Sequence, residues 1–362
     1  MRTSRPVFVT DCEGPVSKND NAFELTSRVI PGGEQLFTQL SGYDDVLADV
    51  VKRKDYKAGN TLKLILPFLK AYGVTDKQIA DFSAGNLLLM PGAKDMLQLV
   101  RRSMPAFIVS TSYEHYLEAL CHVLDFPFED TYCTRLNLDT YRLRDPEIHQ
   151  LKQLRKMICE MPPLLIHRGA TSLQMLPEES QQAVRRLDRI FWEEIMSMGS
   201  GAILREVNPV GGAEKARAVQ KIVNRTGSHL GHLMYVGDSI TDVECLRLVR
   251  ANGGLTVSFN GNSYAVREAG IAILSTNAIV IAALADVFSK LGPESAYELA
   301  DDWSGTSLKK RGVAPALRER LRSTFRNKPK IHRVTADNVD KIEIESSAFR
   351  RFVRGEKVGR LG

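Results

Sequence analysis

Long apolar runs are missing from this 362-residue chain. No stretch of about 18 uninterrupted apolar residues occurs, and Met1-Arg2 leads into a short strand-like run without the apolar core of a signal peptide. These absences lead us to expect a cytoplasmic protein with no membrane partner. Cysteine is sparse. The five (Cys12, Cys121, Cys133, Cys159, Cys245) stand singly with no Cys-x-x-Cys pair, so neither a disulfide framework nor a zinc site is indicated, and small buried hydrophobes are the expected role. The seven histidines form no cluster, and His115, close after Ser112, reads as a helix-surface residue. Internal repeats and low-complexity tracts are absent too. What remains is 43% hydrophobic and 25% charged, the balance of a soluble globular protein with one large core or two smaller ones.

Short apolar runs that end in a small or acidic residue recur along the chain, the pattern of a parallel sheet buried on both faces. PVFVT at residues 6–10 ends at Asp11, AFIV at 106–109 ends at Ser110, and LMYV at 233–236 ends at Gly237-Asp238. LTVSF at 255–259 and IAIL at 271–274 follow. Segments of helical period lie between them (93–102, 114–124, 213–225, 242–249), so the expected fold is α/β with a doubly wound parallel sheet. Ligands of such sheets bind beyond the carboxyl ends of the strands, where Asp11, Ser110 and Asp238 converge.

Residues 19–88 read as mostly helical and interrupt the sheet directly after its first strand, as a helical cap inserted over the site would. Residues 145–204 read as a second helical insert, broken at Pro162-Pro163 and carrying a long amphipathic segment from Pro177. Within it Met175, Leu176, Phe191, Trp192, Ile195 and Met196 suit core packing first, and otherwise a lid face or a contact between two copies of the chain. The core is then 1–18, 89–144 and 205–300, followed by a basic extension at 301–362. From Trp303 to Gly362 there are 16 Lys and Arg against 6 Asp and Glu, so the formal charge of +6 belongs to the tail. Its clusters (Lys309-Lys310-Arg311, Arg318 to Arg322, Arg326 to Lys330, Arg350-Arg351) carry few aromatics and no groove-reading motif, which argues against nucleic acid and for a solvated or docking extension.

Asp11 and Glu13, two residues apart as the chain leaves a strand, point to one side, and Gly14-Pro15 forces a turn after them. One suits attack on phosphorus and the other protonation of the leaving oxygen. Asp238 and Asp242 flank a strand-to-helix turn, where they suit a hard divalent cation such as Mg2+ or, for Asp242, an N-cap. Ser110 and Thr111, before a helix start, and Lys215, after Gly211-Gly212, suit a phosphate.

Taken in order, VFVTDCEGPVS, FIVSTS, Lys215 within GGAEKARAV, and MYVGDSITD resemble the haloacid dehalogenase superfamily of phosphohydrolases. GGLTVSFNGNSYAVREAGIAIL is similar to that superfamily's last core strands, and the likeness covers roughly half of the chain. The resemblance implies Asp11 as the nucleophile that becomes an aspartyl-phosphate and Glu13 as the general acid/base. Ser110, Thr111 and Lys215 would hold the phosphate. Mg2+ would sit on Asp11, the Glu13 carbonyl and Asp238, with Asp242 supporting the metal or Lys215. Most members have Asp where this chain has Glu13; enolase-phosphatases are among those with Glu. Within the superfamily the chain looks most like phosphoserine phosphatases, whose substrate-reading glutamate nine residues past the nucleophile is matched here by the shorter Asp20. DCEGPVSKNDNAFEL also resembles archaeal chains labelled subunit R of an energy-converting hydrogenase. The expected activity is hydrolysis of a small phosphorylated metabolite; transfer to another alcohol, or a silent binding subunit of a larger complex, are the alternatives.

Overall fold

The computed structural model describes residues 5–325 and 328–361; Met1, Arg2 and Arg326 lie outside them. The apolar runs become strands where β-branched and aromatic residues bury both faces. The strands are β1 (Val7–Thr10), β2 (Ala106–Tyr113), β3 (Thr131–Thr134), β4 (Leu233–Gly237), β5 (Leu255–Phe259), β6 (Ile271–Leu274) and β7 (Lys330–Arg333). They form one sheet in the order β3-β2-β1-β4-β5-β6-β7, all parallel except β7, which runs antiparallel to β6. The expected doubly wound α/β architecture is therefore present.

Alternation along the central strands sends side chains to two separate layers. Val7, Val9, Phe107, Val109, Leu233 and Tyr235 pack with Val219 and Ile222 of the helix Ala213–Thr226 and Leu246 and Val249 of the helix Val243–Ala251. Phe8, Ile108, Met234, Val236, Val257 and Phe259 pack on the other side with the helices Ala93–Ser103, Glu114–Leu124 and Ile279–Asp301. Each fully buried side chain of this kind contributes about 1.5–3 kcal/mol. Register then fixes the site. Thr10 of β1 is level with Ile108 of β2 and Val236 of β4, so Asp11 just after β1, Ser110 within β2 and Asp238 just after β4 lie at nearly the same height.

A third apolar layer joins two parts of the chain read separately from the sequence. Phe37, Leu40, Tyr43 and Phe68 from the helical residues after β1 share one cluster with Leu151, Leu154, Phe191 and Ile195. Tyr43 stacks on Phe191 at 6.0 Å and Phe68 meets the same ring edge-on. Phe191 and Ile195 are thus core residues, as is Leu176, while Met175 is exposed. The segment that supplies them is the helix Glu178–Arg189, running into a wider turn at Ile190–Glu194.

The basic tail is not the solvated extension its charge suggests. It forms the helices Gly305–Lys310, Pro315–Thr324 and Val339–Arg354 and the edge strand β7. Leu308, Val313, Leu317, Leu321 and Ile331 enter the main apolar layer, and Val358 and Leu361 the helical one. One apolar residue per turn is enough to dock such helices, while most of their arginines and lysines stay at the surface, Arg350 and Arg354 of the last helix being buried. Among the described residues, no helix is long and apolar enough to cross a membrane.

Candidate active site

Asp11 follows β1 directly, and its N–H donates to the Val236 carbonyl at 2.8 Å, extending the β1–β4 ladder by one residue. Its carboxylate is buried and lies 2.7 Å from Lys215 Nζ. Lys215 stands in the first turn of the helix Ala213–Thr226, fully buried, and its ammonium also lies 2.7 Å from Asp242. Asp242 is saturated: Oδ1 accepts from Lys215 and from Tyr235 Oη at 2.7 Å, and Oδ2 accepts from the N–H groups of Asp238 and Ser239 at 2.9 and 3.1 Å. Its side chain thus ties Lys215 and Tyr235 to the turn that follows β4.

Burial and ion pairing oppose each other in setting the protonation of this group. Burial lifts the Asp11 carboxyl to about 7, with Lys215 opposing and Asp242 and Asp238 adding to the rise. Burial works against the charge on Lys215 too, but the Asp11 and Asp242 carboxylates overcome it and hold the ammonium above its ordinary range. At Asp242 the rise from burial is outweighed by Lys215, and the carboxyl falls below its usual value.

Asp238 follows β4 and is buried. The turn opposite is built for contact with it. Gly14 has φ +110°, a left-handed conformation that side chains avoid, and a Cβ there would lie 2.2 Å from Asp238 Oδ2. Gly237 is similarly constrained, since a Cβ would lie 2.5 Å from Asp242 Cγ.

Glu13 and Asp20 meet at the N-terminus of the helix Asn21–Val29. Glu13 Oε1 accepts from the Asn21 N–H at 2.9 Å, and Asp20, the N-cap, accepts from the Phe23 N–H at 2.9 Å. Burial first, and then the neighbouring Asp20 charge, pushes the Glu13 carboxyl well above its usual value. Asp20 is raised as well, chiefly by burial. Asp20 thus combines capping with a place on the cavity wall.

Ser110 and Thr111 do not precede a helix directly, because β2 continues through both to Tyr113 across an irregular register with β3. Ser110 Oγ accepts from the Ser112 N–H at 3.2 Å. Thr111 Oγ1 is buried without a hydrogen-bond partner. Both residues line a cavity of about 90 Å3 with Asp11, Glu13 and Asp238. The helical residues after β1 form the opposite wall through Phe37, Ser41, Asp44 and Leu62. Asp44 Oδ2 fixes that wall by accepting from the N–H groups of Gly59 and Thr61 and from Thr61 Oγ1.

The sequence reading did not anticipate Arg350 and Arg354, which reach the site from the C-terminal helix. Arg350 pairs with Asp238 Oδ2, and Arg354 Nη1 lies 3.1 Å from the same oxygen. The signal available was positional: Ile342, Ser346 and Arg350 recur at intervals of four, placing a cation on the buried stripe of its helix.

The residues present fit a hard divalent ion. Asp11, Asp238 and Asp242 each bring a carboxylate oxygen within 4.8 Å of one another, all buried, and oxygen-only donors are what Mg2+ takes. With Asp242 committed to Lys215, Asp11 and Asp238 are the side chains left to hold it.

The sheet order and the layers of helices on its two faces define a doubly wound α/β protein with an acidic site at the carboxyl ends of its central strands. No family model and no curated protein matches the chain. Among solved structures it is similar to gene product AF1437 from Archaeoglobus fulgidus, 25% identical with a TM-score of 0.80 over 99% of both chains. It is also similar to phosphoserine phosphatase in a phospho-aspartyl intermediate analogue, 13% identical with a TM-score of 0.43, covering 77% of this chain and 98% of that one. A substrate-bound phosphoserine phosphatase complex gives 12% and 0.43 over the same shares.

Proposed function

We propose that the protein is a Mg2+-dependent phosphatase that hydrolyses a small phosphomonoester through an aspartyl-phosphate on Asp11. The observation that carries this reading is the buried series Asp242–Lys215–Asp11, with both ion pairs at 2.7 Å. A carboxylate nucleophile and a dianionic phosphoryl group repel each other, and an ammonium fixed beside the nucleophile offsets part of that charge. Mg2+ held by Asp11, the Glu13 carbonyl and Asp238 would supply the rest as a Lewis acid.

An Asp11 oxygen attacks phosphorus as the bond to the leaving alcohol breaks. Glu13, kept protonated by its burial, passes its proton to the leaving oxygen. As a carboxylate it then takes a proton from the water that cleaves the acyl phosphate, releasing inorganic phosphate and restoring Asp11. Ser110 and Thr111 offer hydroxyl donors to the phosphoryl oxygens, with Thr111 Oγ1 otherwise unpartnered. The helical residues 19–88 serve as a cap that excludes bulk water during the first step.

The test is hydrolysis of an aryl phosphate with and without Mg2+ by the wild type and Asp11→Asn. Metal-dependent hydrolysis lost in the variant is expected; equal rates overturn the proposal. One observation favours a second reading, a subunit that binds without turnover: the Asp238 carboxylate is already neutralised by two guanidinium groups. Absence of turnover across a broad panel of phosphomonoesters, with stable co-purification in a larger complex, would select it.

A further inference from the structure

Asp238 is held from outside the sheet. Arg350 and Arg354 lie one helical turn apart on the helix Val339–Arg354, and their side chains are 3% and 4% exposed. Arg350 also donates to the carbonyls of Asp238 and Leu361 at 3.2 and 3.3 Å. Arg354 also donates to the carbonyls of Lys18 and Asn19 at 3.0 and 2.6 Å, in the segment that follows Glu13. The pair therefore ties three parts of the chain together around one carboxylate. Burying two guanidiniums is costly without an anion, and Asp238 Oδ2 is the oxygen they share.

That oxygen belongs to the carboxylate which, on the phosphatase reading above, would help to hold the divalent ion. A dication arriving at Asp238 meets two positive charges already seated on it. We propose, resting on that reading, that Arg350 and Arg354 are positioning residues that compete with the divalent ion for Asp238, so that ion binding is linked to loosening of the C-terminal helix from the site. Linkage is reciprocal: whatever weakens the arginine contacts tightens the ion, and the ion weakens the arginine contacts. A purely structural role predicts the opposite, since losing a support of Asp238 would weaken the ion.

The experiment measures Mn2+ affinity of the full chain by calorimetry for the wild type, Arg354→Gln and Arg354→Lys. Arg354→Gln is expected to bind about tenfold more tightly or better, the scale of one charge-assisted hydrogen bond, and Arg354→Lys by less. Unchanged or weaker binding by Arg354→Gln overturns the proposal. A measurement on the unaltered protein guards against a variant that does not fold. Saturating Mn2+ is expected to increase deuterium uptake over residues 339–354, and equal or lower uptake with the ion bound overturns the linkage. Metal-dependent hydrolysis with unchanged affinity would remove this inference and leave the phosphatase standing. Binding of Mn2+ by neither wild type nor variant would remove both.

Discussion

Lys215→Met tests the electrostatics of the site most directly. The substitution keeps the length and apolar stem of the side chain and deletes a fully buried ammonium that lies 2.7 Å from each of two buried carboxylates. Asp242 then loses the cation that holds its carboxyl below the usual value. Left uncompensated, it either stays ionised in a buried setting or takes up a proton. Protonation caps the cost: for a group with an unfolded pKa near 3.9, it amounts to about 4 kcal/mol at pH 7 and about 1.5 kcal/mol at pH 5. In the wild type the Asp242 contribution is present above the unfolded pKa. In the variant the folded pKa of Asp242 is raised, so stability is lost as pH rises. The gap between the two proteins should therefore widen from pH 5 to pH 7. Urea denaturation with EDTA present, at both pH values, reads this. A gap under about 1 kcal/mol at pH 7, or one of equal size at both pH values, would refute the reasoning, because a packing defect carries no such pH dependence.

Glu13→Gln keeps an oxygen for the Asn21 N–H but cannot supply a proton, so the fold should persist while aryl phosphate turnover falls by about 10²–10⁴; melting temperature and initial rates check the two halves. In the wild type the rate should decline on the alkaline side as the raised Glu13 carboxyl loses its proton, a limb absent from the residual activity of Glu13→Gln. Phe191→Ala removes a fully buried ring that contacts Tyr43 and Phe68, and a loss of about 3–5 kcal/mol in chemical denaturation is expected.

The parts of this fold legible in the sequence are those where burial leaves a compositional trace. β1, β4, β5 and β6 are short apolar runs because both faces of the sheet are covered, and their ends locate Asp11 and Asp238. β2 was read four residues short, since Ser110 to Ser112 look like a loop, although the strand carries them on to Tyr113. β3 (TYCT) and β7 (KIHR) have too little apolar content to stand out; pairing with a neighbour, rather than hydrophobicity, makes them strands. Lys215 was found through the company of other motifs. Arg350 and Arg354 were not, because an arginine in a basic tail looks like solvent-facing charge until the helix that carries it is docked.

The placement of that helix bears on how the site tolerates its own charge. Asp11, Glu13, Asp20, Asp238 and Asp242 are gathered at one end of the sheet, and Lys215 alone pairs with only two of them. Burial raises the carboxyls of Asp11, Glu13 and Asp20, so an acidic pocket of this density favours their protonated forms. On the proposed mechanism a protonated Glu13 suits the general acid, whereas Asp11 must be ionised to attack. Cations beyond Lys215 offset part of that rise: Arg354 lowers the carboxyls of Glu13 and Asp20, and Arg350 lowers that of Asp20. Both come from a segment remote in sequence, and both pair directly with Asp238. The basic C-terminal helix is thus part of the electrostatic construction of the site, and on the linkage proposed above its arginine pair sets the charge that an incoming divalent ion would meet.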